Sequence, residues 1–149
     1  MADVRVHAAV EEGALSVDAA LAHCAAPEHG AAAVFVGRVR NLNDGRAVTA
    51  VSYDVHPVLC ARTFEAMAAE ALARWGDDLR AWLVHRHGRL AVGEASVVVA
   101  VSSGHREAAF AALRYLVEEM KKRAPVWKQE HYVDGDSAWL PGHTLVADA

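Results

Sequence analysis

An apolar row that repeats at helical spacing and then runs into a proline constrains this chain more than any other feature. Phe110, Leu113, Val117, Met120 and Ala124 follow one another at intervals of three, four, three and four, so they line one face of a helix. Pro125 has no amide proton and disfavours helical geometry in the residue before it, so the helix must end near Ala124 and the chain must continue extended past Trp127. Around this stop stand Lys121, Lys122, Arg123 and Lys128. Lys121 and Lys128 flank the bend beside an aromatic ring, a combination that suits an anion. Positive charge at a helix C-terminus is also favoured by the helix dipole alone, and most such residues are simply solvated.

A chain of 149 residues fits one domain, 1–149, with a respectable core. Its hydrophobic share of 54% is inflated by alanine and its charged share of 23% is ordinary, which excludes a disordered or fibrous chain. A net charge of -4 argues against a broad nucleic-acid surface, so any functional cations must be locally gathered. Cys24 and Cys60 sit in apolar stretches and read as packed free thiols rather than a disulfide framework. The N-terminus lacks the apolar centre of a signal peptide and no run is long enough to span a membrane, so the expected location is the cytoplasm.

Val4 to Val10 alternates as a strand, and Ser16 caps a short helix to Ala26 that turns Val17, Leu21 and Cys24 inward. Gly30 to Val39 reads as a buried strand, Asn41 to Gly45 as a loop, and Val48 to Val55 as an antiparallel return strand. Pro57 opens a helix to Trp75 with Phe64, Met67, Ala71 and Trp75 on its inner face, and Gly76 stops it. Leu79 to His87 and Glu94 to Ser102 are strands around a turn at Gly88 to Gly93, and Ser103 caps the last long helix. His131 to Leu140 resembles a hairpin about Asp134-Gly135-Asp136. Strands and helices interleaved in this way favour a mixed α+β domain. No glycine-rich phosphate loop follows a strand, and no cofactor motif is present.

Lys121 falls beside the apolar row of its helix while Lys122 and Arg123 point away, so Lys121 is the expected enclosed amine, able to move a proton or attack a carbonyl carbon. Ser103-Gly104-His105-Arg106 lies where a strand turns into a helix, a place that favours an anion. Arg38 and Arg40 share a face at a strand end and suit phosphate or carboxylate. His105 and Lys121 are separated by about 24 Å of helix, so they serve different sites or meet across a homodimer. His85 and His87 could start a metal site with His56, His105 or His131, but no Cys pair or His-Glu helix motif supports one. Neither cysteine has an evident activating base.

Phe35-Val36-Gly37-Arg38-Val39-Arg40-Asn41, Ser103-Gly104-His105-Arg106 and Lys121-Lys122-Arg123-Ala124-Pro125-Val126-Trp127-Lys128 together resemble the large, catalytic subunit of molybdopterin synthase. The likeness extends through Gly88 to Val101 and to Trp139, and is weakest over the first 25 or so residues. It implies an α/β hammerhead fold with an additional antiparallel β subdomain and a homodimeric core. A small ubiquitin-like sulfur-carrier subunit would sit at each end, making a heterotetramer. The carrier's C-terminal Gly-Gly thiocarboxylate would donate sulfur to cyclic pyranopterin monophosphate, giving molybdopterin, with no metal or cofactor. The resemblance makes Lys121 and Lys128 the catalytic residues and Arg40, His105 and Arg106 the substrate holders, with Arg38 supplementing the field and Arg74 a weaker candidate. Val117 and Gly104 depart from the family pattern in pocket shape, not in charge. The alternative from the residues alone is a non-enzymatic module that binds an anion or a peptide tail.

Overall fold

A computed structural model describes residues 3–140. In chain order it contains β1 (Val6–Glu11), α1 (Val17–Cys24), β2 (Ala31–Arg38), β3 (Leu42–Asn43), β4 (Arg46–Val55), α2 (Pro57–Trp75), β5 (Arg80–Arg86), β6 (Gly88–Ala91), β7 (Ala95–Ser103), α3 (Arg106–Arg123), β8 (Val126–Tyr132) and β9 (Ser137–Trp139). The expected mixed α+β class holds. One sheet runs β1-β5-β7-β2, and the other runs β3-β4-β8-β9 with β6 also paired to β4. Apolar side chains of both sheets, α2 and α3 join in one core, where Phe64, Met67, Leu83, Leu90, Val99 and Leu116 are fully buried. A smaller cluster of Ala20, Cys24, Val98 and Ala100 seats α1 on the opposite face of the first sheet.

Local chemistry sets most helix ends. Ser16 accepts a hydrogen bond from the Ala19 amide, so it caps α1 as expected. Pro57 occupies the first turn of α2, where its missing proton costs nothing, and Gly76 closes that helix. Leu21, however, is turned outward on α1, where Ala20 and Cys24 are buried and Val17 packs beside them. Ser103 does not cap α3: it is the buried last residue of β7, and His105 takes the cap position without a side-chain hydrogen bond.

Three strand expectations also change. The Gly30–Val39 region does contain β2, but β2 is an edge strand with Val34 and Phe35 partly exposed, and it pairs with β7 rather than with β4. The Asn41 to Gly45 loop is mostly a hairpin: Asp44 and Gly45 both have positive φ, the conformation of a tight two-residue turn between β3 and β4. The turn after β5 contains β6, which crosses to the second sheet and pairs with β4. Along β4 an irregularity between Val48 and Ala50 resets the alternation, so Val48, Val51, Tyr53 and Val55 are all buried.

Helix α3 ends at Ala124 and the chain enters β8 directly, as Pro125 requires. Its buried residues are Ala109, Ala112, Leu116 and Met120, not the bulkier row of Phe110, Leu113 and Val117. Alanines on the inner side let α3 approach β7 and β2 closely, and the next row round the helix lies at the margin, with Leu113 and Val117 partly buried against the core. Phe110 is consequently 64% exposed. The C-terminal hairpin forms between β8 and β9 in the register Gln129↔Trp139 and His131↔Ser137. Residues 145–149, whose sequence is not that of a carrier tail, lie outside the described residues.

Candidate functional site

Strand β8 leaves the end of α3 and crosses the second sheet, so its alternate residues Val126, Lys128, Glu130 and Tyr132 point into the protein. Lys128 stands directly opposite Tyr53 on β4 and is only partly exposed. Burial is the largest influence on its ammonium group and pushes its pKa down; Glu130 opposes that shift, while the positive charges of Arg40 and Lys121 add to it. Three cations from three separate stretches of chain are therefore within electrostatic reach of one another. Arg40 comes from just beyond β2, Lys121 from the last turn of α3, and Lys128 from β8.

Glu130 is 4% exposed and completes this group. Its carboxylate accepts hydrogen bonds from Asn43 Nδ2 at 3.0 Å and from the Tyr132 hydroxyl at 3.0 Å. Such support holds a charge beneath the sheet, where an unpaired one would be costly. Sequence reasoning passed over Glu130, although its position two residues after Lys128 on a strand places both on one face. By sequence Asn43 is only part of a loop, and its reach to Glu130 depends on the β3–β4 hairpin.

The enclosed amine is Lys128, not Lys121. Lys121 is exposed because it stands one position round α3 from the buried row that ends at Met120. Arg38 and Arg40 are also exposed, on either side of buried Val39, just beyond the bulge between Gly37 and Arg38. Gly37 is required there, since a Cβ atom would come 2.7 Å from Val97 Cγ1.

His105 and Arg106 are at the opposite end of α3 from Lys121, both exposed. Within one chain the two groups do not meet. A Cβ on Gly104 would have no neighbour nearer than Glu28 O at 3.9 Å, so the bulkier residue of the family pattern would fit. Arg123 is not merely solvated: it bonds Glu70 on α2 at 2.6 Å and Glu119 at 3.2 Å, tying α3 to α2. Arg74 stacks over Trp75, 4.6 Å from the ring centroid, and near Tyr115. Burial pushes the Cys24 thiol up to about 11 and Cys60 up to about 12, so both are inert packing groups. His87 Nδ1 accepts the Val55 amide and His85 Nδ1 lies 2.9 Å from Arg86 O. No group of three metal-binding side chains is assembled among the described residues.

An α+β domain that gathers a half-buried lysine, a second lysine and an arginine around one supported carboxylate has the makings of an anion-handling enzyme site. The MoaE protein family model matches residues 10–123, and the chain belongs to that family. A molybdopterin synthase catalytic subunit from Synechococcus elongatus is 43% identical over 131 residues, covering 88% of this chain and 79% of the relative. The crystal structure of molybdopterin synthase from Staphylococcus aureus superposes with a TM-score of 0.86 at 25% identity, covering 95% of this chain and 99% of that one. A complex of subunits 1 and 2 of molybdopterin-converting factor from Helicobacter pylori shares the fold, with a TM-score of 0.75 at 22% identity over 97% and 99% of the two chains.

Proposed function

We propose that this chain is the sulfur-transferring subunit of a molybdopterin synthase. It converts cyclic pyranopterin monophosphate to molybdopterin with sulfur from the C-terminal thiocarboxylate of a small ubiquitin-like carrier. The observation that carries this reading is Lys128, an amine held below its ordinary pKa with Arg40 and Lys121 beside it. A phosphorylated pterin and a thiocarboxylate both need cations, and opening the cyclic phosphate as sulfur adds requires a proton to move. Lys128 suits that proton transfer, because burial makes its neutral form easier to reach than that of a solvated lysine. Lys121, exposed on the last turn of α3, is the amine nearest the incoming thiocarboxylate carbon. Arg40 grips phosphate, and Arg38 strengthens the local field.

His105 and Arg106 enter as holders of phosphate and pterin from a second copy of the chain, since about 24 Å of helix keeps them from their own Lys121. The working unit is then a homodimer with a carrier at each end, a heterotetramer. Residues 1–149 act as one domain in the cytoplasm, and no helix among the described residues is long and apolar enough to cross a membrane. The finer architectural name, an α/β hammerhead with an added antiparallel subdomain, belongs to the same reading: the first sheet with its helices is the hammerhead part, and the second sheet is the addition.

Incubation with a thiocarboxylated carrier and the cyclic pterin tests the reaction directly. Dithiolene product should form, and Lys121→Ala should abolish it while leaving the chain folded. Unchanged turnover in that variant would defeat the assignment of Lys121. Binding of the carrier tail without any product from the native chain would favour the non-enzymatic module instead.

A further inference from the structure

Tyr53 stands directly opposite Lys128 in the β4–β8 ladder, so the two side chains share the inner face of the second sheet. Tyr53 is buried, and its ring meets His85 edge-on with the centroids 5.1 Å apart. A phenylalanine would make the same ring contact, so packing gives no reason for a hydroxyl at this position. A buried tyrosine hydroxyl needs a polar partner, and here it is hydrogen-bonded to the buried Ser96 of β7. Burial pushes the Tyr53 pKa up, so the phenol keeps its proton.

The bulge at the end of β2 frees Ser96 for this contact. Gly37 pairs with Val97 and Arg38 pairs with Ala95, so the β2–β7 ladder passes over Ser96 and leaves it out of the alternation. The Ser96 hydroxyl donates to Gly37 O at 3.2 Å. A serine has one proton to give, so towards Tyr53 it accepts, and the tyrosine donates. Two bonds thus run in one direction, from Tyr53 to Ser96 to the backbone of Gly37. Beyond Gly37 the chain is held by Val39 N to Glu94 O at 3.0 Å and by Gly93 N to Val39 O at 2.8 Å, and Arg40 follows at once. The charge of Arg40 acts on Lys128. The residue that faces Lys128 is therefore tied, through one serine, to the bulge from which Arg40 departs.

We infer that Tyr53 is a positioning residue for the sulfur-transfer reaction: through Ser96 it fixes the spacing between Lys128, which moves the proton, and Arg40, which grips phosphate. The inference rests on the roles proposed above for those two cations. Tyr53 and Ser96 act without touching the substrate. A loosened brace leaves both charges in place, so the substrate still binds, but their alignment in the transition state is lost.

The test uses the full chain with a thiocarboxylated carrier and the cyclic pterin. Tyr53→Phe keeps the ring and removes only the donor, and Ser96→Ala removes the middle of the brace. Each should lower kcat about tenfold, a fraction of the roughly hundredfold that a 1 Å misplacement costs, with KM for the pterin changed by no more than about threefold. The double variant should lose no more than either single one, because the two residues act as a unit. A second readout needs no turnover. Arg40→Gln should raise the Lys128 midpoint in an NMR titration, and should raise it less in the Tyr53→Phe or Ser96→Ala background. If no form of the chain makes product, the reaction reading falls while this coupling still decides on the brace. Lowered stability in urea with kcat and the Arg40–Lys128 coupling unchanged would make the pair purely structural and overturn the inference. A Tyr53→Phe defect that Ser96→Ala lacks would overturn it too, and if Tyr53→Phe does not fold, Ser96→Ala decides alone.

Discussion

The two sides of α3 contrast sharply. The inner side carries Ala109, Ala112, Leu116 and Met120, all buried, and the outer side carries exposed Phe110 and Lys121 with Leu113 and Val117 partly buried between them. Both rows repeat at helical spacing, yet the bulkiest apolar residue of the helix, Phe110, is left exposed. Burial here follows closeness of approach rather than side-chain size: alanines allow the backbone to settle on β7 and β2, whereas a phenylalanine in that layer would hold it off. The outer row is therefore available to position a functional lysine and to meet another surface.

The widest test of this contrast is Leu116→Ala, which should lower stability by about 2–5 kcal/mol in urea unfolding because it leaves a cavity in the shared core. A smaller loss of about 1–3 kcal/mol is expected for Ala112→Leu, which overfills the contact; a neutral result would show that α3 is not closely seated. Phe110→Ser, on the outer side, should change the unfolding free energy of the monomer by no more than about 0.5 kcal/mol. A loss as large as that of Leu116→Ala would erase the distinction between the two sides.

The subtlest test compares the two lysines by titration. Burial lowers the Lys128 pKa from the ordinary lysine value of 10.5, with Arg40 and Lys121 contributing and Glu130 opposing. Its midpoint in an NMR titration should thus lie below 10.5, rise in Arg40→Gln or Lys121→Gln, and fall in Glu130→Gln. The unfolded chain binds the extra proton between the lowered value and 10.5, so this lysine's contribution makes stability increase with pH across that window. A midpoint that moves in the opposite direction in Glu130→Gln would mean that Glu130 does not act on Lys128.

Much of this architecture is legible from local signals. Ser16, Pro57, Gly76 and Pro125 mark helix ends because each acts on backbone amides or φ angles within a residue or two. Two of the three motifs that carry the family resemblance contain Arg40, Lys121 and Lys128, whose charges come together in space. Misplaced elements fail for non-local reasons. Strand β2 looks buried by composition but is an edge, and β6 looks like a turn but is captured by β4 of the other sheet. Glu130 escaped notice because a buried carboxylate makes sense only once Asn43 and Tyr132 stand beside it.

By itself the sequence determined the α+β class, the positions of the helices, the bend at Pro125 and the cations on either side of it. These depend on hydrophobic period, capping and proline geometry, all of which act over a few residues. Only the tertiary structure decided which side of α3 is inside, that Lys128 rather than Lys121 is enclosed, and that Glu130 lies beneath it. Those outcomes depend on which distant segments share a dry, closely packed space, and burial and charge act there through distance in space rather than separation along the chain.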